Sequence, residues 1–349
     1  MKYTSKRIIY NDHGDPRKML QMDKIEIDDT KLGRDEVLVK WLASPVNPLD
    51  INKVEGKYPF VQGKPAVAGS EGVAIVLKTG STVKSLKKGD QVVSFGLNTP
   101  IWNQYAVVCE EGLYKVRSDL DVASACTIMI NPPTAYIMLK HFVDLVPGDY
   151  VIQNSANSAV GRCVIEMASA MHLKSINIVR DRPNIAKLKA ELKALGADHV
   201  FTEEEFAKDN VKFIKSLPNP PRLAMNGVGG RSNMIICAAL GFGGTLVTYG
   251  AMGKKPIEIL SSSFIFKDLK AYGVAVGPWM KMHPEKADKI MKVIQEMLVK
   301  GEVSPPPMEE VKIDDYASAI DKQMRGGHKK QLLVLHEDVQ TNMTYKSKL

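Results

Sequence analysis

The sequence predicts an α/β protein in which a doubly wound parallel sheet, covered by helices, is inserted into a β-rich domain. Three observations predict it. From Tyr150 to Val276, short apolar runs alternate with helical patterns, as parallel strands joined by crossover helices do. Before Val116 the runs are short and marked off by glycine turns, as the twisted strands of a β-rich domain are. After Val311 a last strand pattern, Gln331 to Leu335, is expected to return to the first domain. Residues 1–130 and 308–349 then form the β-rich domain and 131–307 the parallel-sheet domain.

Taken in order, Ile25 to Asn47 read as alternating strands around a turn, with Glu36 to Lys40 the clearest. Gly72 to Val76 precede Thr79-Gly80, and Lys88-Gly89-Asp90 precede a strand at Gln91 to Phe95. From Ala123 the pattern turns helical, interrupted by Asn131-Pro132-Pro133 before Thr134 to Phe142. A strand at Tyr150 to Gln153 comes next. The helix after it carries Val160, Val164, Met167 and Ala168 on one face and ends near Leu173. A strand at Ser175 to Val179 is apolar on both faces, as in a buried parallel sheet. A helix at Asn184 to Leu195 and a strand at His199 to Thr202 follow, and then a polar stretch. The sheet resumes with Leu223 to Gly227, a helix at Ser232 to Leu240, and strands at Gly244 to Tyr249 and Lys270 to Val276. An amphipathic helix, His283 to Lys300, closes the domain.

At 349 residues the chain can hold two sizeable cores, and 44% hydrophobic with 25% charged residues is ordinary for a globular protein. No apolar run approaches the roughly 20 residues that span a membrane, and the N-terminus lacks the apolar core of a secretory signal. Cys109, Cys126, Cys163 and Cys237 are scattered, without the close pairs of structural zinc sites, and are read as reduced and mostly buried. The net charge of +8 is interleaved with acids. That pattern fits a solvated basic surface, attractive to an acidic protein or an anionic thioester, better than a nucleic-acid tract.

Chemistry concentrates between Tyr150 and Arg182. The turn Asn154-Ser155-Ala156-Asn157-Ser158-Ala159-Val160-Gly161 opens a helix, whose unpaired N–H groups and dipole favour an anion such as a pyrophosphate. Of the usual G-x-G-x-x-G only Gly161 survives. Small side chains still permit close approach, and Asn157 is expected to take the left-handed conformation that glycine normally supplies. The next strand ends in Arg180, Asp181 and Arg182. An acid there would accept from the 2′-hydroxyl of NAD, whereas arginine accommodates the 2′-phosphate of NADP. The two arginines therefore read as NADPH, with Asp181 pointing away. For the turn alone, an ordinary strand-to-helix connection reads as well.

Four stretches then carry a resemblance: Ser44-Pro45-Val46-Asn47-Pro48-Leu49-Asp50-Ile51-Asn52, Glu55-Gly56-Lys57-Tyr58-Pro59, Val179-Arg180-Asp181-Arg182-Pro183 and Val247-Thr248-Tyr249-Gly250-Ala251-Met252. They are similar to the mitochondrial trans-2-enoyl-CoA/acyl-carrier-protein reductases, a zinc-free branch of the medium-chain dehydrogenase/reductase superfamily, from about Lys6 to Leu335. The resemblance implies a GroES-like catalytic domain, a Rossmann NADPH domain, and reduction of enoyl thioesters carried on CoA or acyl carrier protein. It makes Tyr58 the proton donor, against the alternative of a tyrosine that merely packs on a strand. It puts Asn131 at the nicotinamide, although capping of the following helix explains that residue as well, and Asn157, Ser158, Ala159 and Val160 at the pyrophosphate. Arg180 and Arg182, with Asp181 between them, take the 2′-phosphate. Tyr249, Gly250, Ala251, Met252, Val274, Ala275, Val276 and Lys330 line the rest of the cofactor site, with Lys329 the alternative to Lys330. Asn47 and Trp279 border the substrate pocket, though a tryptophan at a domain contact is the plainer reading of Trp279.

Zinc-holding members have cysteine where this chain has Asn47 and histidine where it has Ser70, so no metal site is expected. Two departures from the branch, the second proline of Asn131-Pro132-Pro133 and Ala159 in place of a glycine, adjoin the cofactor. By resemblance the expected assembly is a homodimer joined through edge strands of the nucleotide domain. The expected location is the mitochondrial matrix, with no presequence evident before the first strand at Lys6 to Tyr10. The competing enzyme is a zinc-free NADPH:quinone or small-enone reductase, which would not require the Tyr58 loop. The competing non-enzyme binds NADPH without turnover.

Overall fold

The computed structural model of the protein describes residues 1–59, 63–96, 99–326, 329–339 and 341. The expectation that the first domain runs to Leu349 rests partly on 342–349, which lie outside the described residues. Two compact units are present, one built from Met1–Met129 with the described residues from Pro305 onward, the other from Ile130–Ser304.

In chain order the first unit supplies β1 (Lys2–Tyr10), α1 (Pro16–Met19), β2 (Gln21–Asp28), β3 (Glu36–Pro45), α2 (Pro48–Val54) and β4 (Ala66–Val67). It continues with β5 (Val73–Thr79), β6 (Gln91–Ser94), β7 (Tyr105–Cys109), β8 (Leu113–Lys115) and α3 (Val122–Cys126). The second unit runs α4 (Asn131–His141), β9 (Tyr150–Gln153), α5 (Ala159–Ala170), β10 (Lys174–Val179), α6 (Ile185–Ala194), β11 (His199–Thr202) and α7 (Glu203–Ser216). Then come β12 (Leu223–Asn226), α8 (Gly230–Ala238), β13 (Thr245–Thr248), α9 (Ser261–Lys267), β14 (Lys270–Gly273), α10 (Val276–Met282) and α11 (Pro284–Lys300). The chain returns to the first unit as β15 (Met308–Lys312), α12 (Tyr316–Arg325) and β16 (Lys330–Val334).

In the first unit β3 is the spine. It pairs antiparallel with β5, with β7 over its first half and with β16 over its last residues, and this central position buries most of its length. Trp41 on β3 and Trp102 are fully buried in one core with Ile8, Val37, Val76 and Leu333. Trp102 is polar-satisfied there, its indole N–H donating to Ser44 Oγ at 2.9 Å. The register of β16 on β3 sets Leu332 opposite Pro45, and the Val46 N–H donates to the Gln331 carbonyl at 2.8 Å. That pairing brings Lys330 to the segment that starts α2.

The second unit is a single parallel sheet in the order β11-β10-β9-β12-β13-β14. Several elements differ from the sequence reading. The polar stretch after Thr202 is the helix α7, opened by a capping box in which Thr202 accepts from the Glu205 N–H and Glu205 accepts from the Thr202 N–H. Asn131-Pro132-Pro133 starts α4 rather than interrupting a helix, because first-turn N–H groups have no intrahelical acceptor and proline loses nothing there. The last strand ends at Gly273, and Val276 already belongs to α10.

Candidate active site

In the second unit the chain steps outward from β9 through β10 to β11, then returns to β12 beside β9 and steps outward the other way. At such a reversal the loops leaving neighbouring strands part to opposite faces and leave room for a ligand at the carboxyl ends. Two buried asparagines tie this point together. Asn154 Nδ2 donates to Asn226 Oδ1 (2.8 Å) and Ser232 Oγ (3.2 Å), and Asn154 Oδ1 accepts the Gly227 N–H at 2.8 Å. Asn226 Oδ1 in turn accepts the Val228 and Gly229 N–H groups at 3.1 and 3.0 Å. The sequence reading missed this pair. Its signal was an asparagine at the end of each of two strand patterns, just after Gln153 in one and closing Leu223–Asn226 in the other.

The turn beyond Asn154 makes its left-handed step at Ser155 (φ 53°), not at Asn157 as expected. Ala156 and Asn157 are the middle of a turn closed by the Ser158 N–H on the Ser155 carbonyl (2.9 Å), so the reversal falls earlier. Ser158 then caps α5, its Oγ accepting the Gly161 N–H at 3.1 Å. The N–H groups of Ala159 and Val160 are left without a partner among the described residues, at the positive end of the helix dipole. A Cβ on Gly161 would lie 2.6 Å from the Ala156 carbonyl oxygen, so only glycine lets the helix start this close to the turn.

Arg180, Asp181 and Arg182 follow β10 directly. The Asp181 carboxylate is engaged in its own turn, Oδ1 accepting the Arg182 N–H at 2.8 Å. Arg182 is half-buried, its Nε 3.4 Å from the Arg180 carbonyl oxygen. Burial, and then the neighbouring charge of Arg180, hold its guanidinium below the usual arginine range. Neither arginine forms an ion pair among the described residues. Two cations set side by side in this way are relieved by an anion.

Tyr249 follows β13, its N–H donating to the Asn226 carbonyl at 3.0 Å. Its hydroxyl is shielded from solvent and lies against Gly227, where a Cβ would be only 2.7 Å away. Burial pushes this phenol up to about 12. Ser158 is near enough to offset part of that shift, yet no well-formed hydrogen bond closes on the hydroxyl. The Asn131 Nδ2, at the first turn of α4, is likewise buried without an acceptor. Gly250 approaches the Gly227 carbonyl, and the Met252 N–H donates to it at 3.0 Å, so Tyr249, Gly250, Ala251 and Met252 fold back over the end of β12. Val274, bonded to the Thr248 carbonyl at 3.0 Å, is buried. Ala275 is exposed and Val276 half-buried. Trp279 is buried inside this unit, stacked on His283 (centroids 4.5 Å) and edge-on to His141 (5.1 Å).

In the first unit α2 delivers Tyr58. Asn47 caps the helix in a box with Asp50, whose Oδ2 accepts the Asn47 N–H at 2.7 Å, and Pro48 occupies the first helical position. The helix stops in a left-handed glycine cap at Gly56 (φ 71°): the Gly56 N–H donates to the Lys53 carbonyl (3.1 Å) and the Lys57 N–H to the Asn52 carbonyl (2.9 Å). Tyr58 is the next residue, half-buried, and burial pushes its phenol up. Asn47 is not open to solvent. Its Nδ2 donates to Glu71 Oε1 at 2.8 Å, and its Oδ1 accepts from the Lys330 ammonium. Ser70 donates to the buried Asp50, and Lys53 Nζ donates to the Gly69 carbonyl at 3.2 Å. Lys329 is exposed, so of the two lysines only Lys330 enters this network. The positions that carry cysteine and histidine in zinc-holding relatives are thus filled by Asn47 and Ser70 in a hydrogen-bonded network. Among the described residues, no group of three His, Cys, Asp or Glu is placed to hold a metal ion.

Residues 33–130 match the alcohol dehydrogenase GroES-like domain and residues 159–295 the zinc-binding dehydrogenase family. Over 334 residues the chain is 48% identical to the mitochondrial enoyl-(acyl-carrier-protein) reductase of Caenorhabditis elegans, covering 95% of this chain and 96% of that protein. The chain belongs to the enoyl-(acyl-carrier-protein) reductase family. The human mitochondrial enoyl-(acyl-carrier-protein) reductase is 44% identical over 320 residues, covering 91% of this chain and 85% of its own length. Among solved structures, the complex of Etr1p with NADP and crotonyl-CoA matches with a TM-score of 0.89 at 33% identity, covering 95% of this chain and 100% of that one. The features found here fit a dinucleotide in a reductase of this family: free N–H groups at the start of α5, an unpaired arginine couple after β10, and buried, unsatisfied polar atoms on Asn131 and Tyr249.

Proposed function

We infer that this chain uses NADPH to reduce the trans-2 double bond of enoyl thioesters, giving the saturated acyl thioester. The observation that carries this is the arginine couple at the end of β10, in a chain of this family that is similar throughout its length to an NADP and crotonyl-CoA complex. Ala159 and Val160 would donate to the pyrophosphate, Arg180 and Arg182 would hold the 2′-phosphate, and Asn131 Nδ2 would find its acceptor on the nicotinamide half. Tyr249, Gly250, Ala251, Met252, Val274, Ala275, Val276 and Lys330 would line the remainder. The Ile130–Ser304 unit is then the cofactor-binding domain and the other unit the catalytic one.

When bound, NADPH supplies a hydride to the β-carbon of the enoyl thioester. The chain must supply the proton. Tyr58 holds one at its phenol oxygen, and burial raises its pKa, so the proton stays in place at neutral pH until charge builds on the thioester. The O–H bond of Tyr58 breaks as a C–H bond forms at the α-carbon, and solvent returns the proton. The left-handed cap at Gly56 fixes where this phenol sits.

The relatives are mitochondrial enzymes, and we assign this chain to the mitochondrion, specifically the matrix, in the last reductive step of fatty acid synthesis. Homodimerisation is supported by β14, an edge strand paired only with β13 among the described strands and exposed throughout. Phe264, Ile265 and Phe266 of the adjoining α9 are exposed as well.

The test is NADPH oxidation with a medium-chain trans-2-enoyl-CoA, run beside NADH and beside a simple quinone. Fast, NADPH-selective turnover of the thioester is expected. Turnover of the quinone alone would replace this reading with that of a quinone reductase, and silence on both would replace it with that of a non-catalytic binder.

A further inference from the structure

Asn47 was expected beside the substrate, but the structure encloses it. Its backbone N–H is taken by Asp50 Oδ2 (2.7 Å), its Nδ2 by Glu71 Oε1 (2.8 Å), and its Oδ1 by the Lys330 ammonium. The residue is 3% exposed. An amide presents one donor side and one acceptor side. Because the Lys330 ammonium can only donate, it takes the acceptor side, and the donor side is left for Glu71, so the amide cannot turn over. Glu71 is itself buried, and Asp50 with its partner Ser70 closes the cap from which Asn47 projects. A fixed amide therefore presents its oxygen to the end of a long lysine side chain.

We propose that Asn47 is a positioning residue for the cofactor: held by Glu71, it fixes the Lys330 ammonium for NADPH and does not itself touch the substrate. This rests on the reading of Lys330 as a cofactor contact. The position where zinc-holding relatives carry a metal-binding cysteine would then serve a different end, the ordering of a cation delivered by β16. Asparagine suits it better than aspartate. Asp50 and Glu71 already oppose Lys53 and Lys330, and a third carboxylate beside Glu71 would compete for the ammonium or take up a proton.

The experiment is a double-mutant cycle read as the equilibrium Kd for NADPH, from quenching or enhancement of nicotinamide fluorescence with no substrate present. Asn47→Ser keeps a good helix cap while removing the amide. Lys330→Met removes the cation and keeps the stem. Each single variant is expected to raise Kd about tenfold, and the double no more than Lys330→Met alone, because a residue that acts through Lys330 has nothing left to act on once the ammonium is gone. Asn47→Asp, which caps the helix but sets a carboxylate against Glu71, is expected to raise Kd as well, and again to add nothing once Lys330→Met is present. An unchanged Kd for Asn47→Ser, or effects that multiply to about a hundredfold in the double, would overturn the proposal. An unchanged Kd for Lys330→Met would instead remove Lys330 from the cofactor, and the proposal with it. If Asn47→Ser does not fold, Asn47→Asp takes its place in the cycle: an unchanged Kd, or a loss that multiplies with that of Lys330→Met, refutes the proposal.

Discussion

The sharpest consequence of the site concerns which nicotinamide cofactor the chain prefers. Replacing Arg180 and Arg182 together by alanine removes both cations that follow β10. A hydrogen bond to a charged group contributes about 1.5 to 3 kcal/mol, and because Arg180 is exposed and Arg182 only half-buried, solvent screening places both at the low end of that range. Two bonds at about 1.5 kcal/mol each give about 3 kcal/mol, or roughly a hundredfold in preference for NADPH over NADH. The structure also ranks the two. Arg182 is the more buried and feels its neighbour's charge, so Arg182→Ala should cost more than Arg180→Ala, while Asp181→Ala, which removes an acceptor of the Arg182 N–H, should leave NADPH in favour. The assay is the ratio of kcat/KM for NADPH to that for NADH with one enoyl-CoA, at low and at physiological salt, where the ratio should shrink as screening rises. A double variant whose ratio stays within about twofold of the parent would mean the 2′-phosphate is read elsewhere.

Three further outcomes follow from the geometry. Tyr58→Phe should lower kcat by about 10² to 10⁴ while Kd for NADPH, measured by fluorescence, is unchanged; an unaltered kcat would take Tyr58 out of the chemistry. Since a proton donor works only while protonated and burial raises this phenol above the usual tyrosine value of 10.0, kcat should be flat through neutral pH and fall only as pH passes above that value, so a Tyr58-dependent loss of activity near neutrality would contradict the assignment. Gly56→Ala places a Cβ 2.9 Å from the His13 ring and forces a side chain into φ 71°, a cost of about 1 to 2 kcal/mol, and should lower Tm and kcat with NADPH binding intact. Gly161→Ala should do the reverse, weakening NADPH by at least about tenfold, because the Ala156 carbonyl must move out of the phosphate turn; calorimetric titration with NADPH checks it.

The fold was largely readable wherever local pattern and final environment agree. Tyr150–Gln153 and His199–Thr202 came out to the residue, because buried parallel strands are short apolar runs with helices on both sides. α7 was read past although its capping box stands plainly in Thr202 and Glu205: its first turn is three glutamates, and apart from Phe206 it buries little, so composition outweighed the cap. That Arg180 and Arg182 directly follow a strand was legible, because the apolar run of β10 stops at Val179. The left-handed residue of the turn was not, since asparagine's intrinsic preference for that conformation yields to the hydrogen bond that closes Ser155 to Ser158. Least legible was the Asn47 network. Asn47 lies 24 residues from Glu71 and 283 from Lys330, and neither spacing carries a periodic signal.

The 283-residue separation between Asn47 and Lys330 also bears on how the molecule is made. On a ribosome the parallel sheet is a continuous stretch of chain and can close as soon as β14 has emerged, whereas the spine strand β3 waits with its last residues unpaired until β16 arrives near the end of synthesis. Pairings of such long range are slow to find, and an unpaired strand of this kind is open to the wrong partner in the meantime. Truncation just before β16 would therefore leave a nascent chain with a complete parallel sheet but an unfinished catalytic half that also lacks Lys330. Such a chain is a natural client for a chaperone, and loss of the last strand should appear as lost solubility alongside weakened cofactor binding.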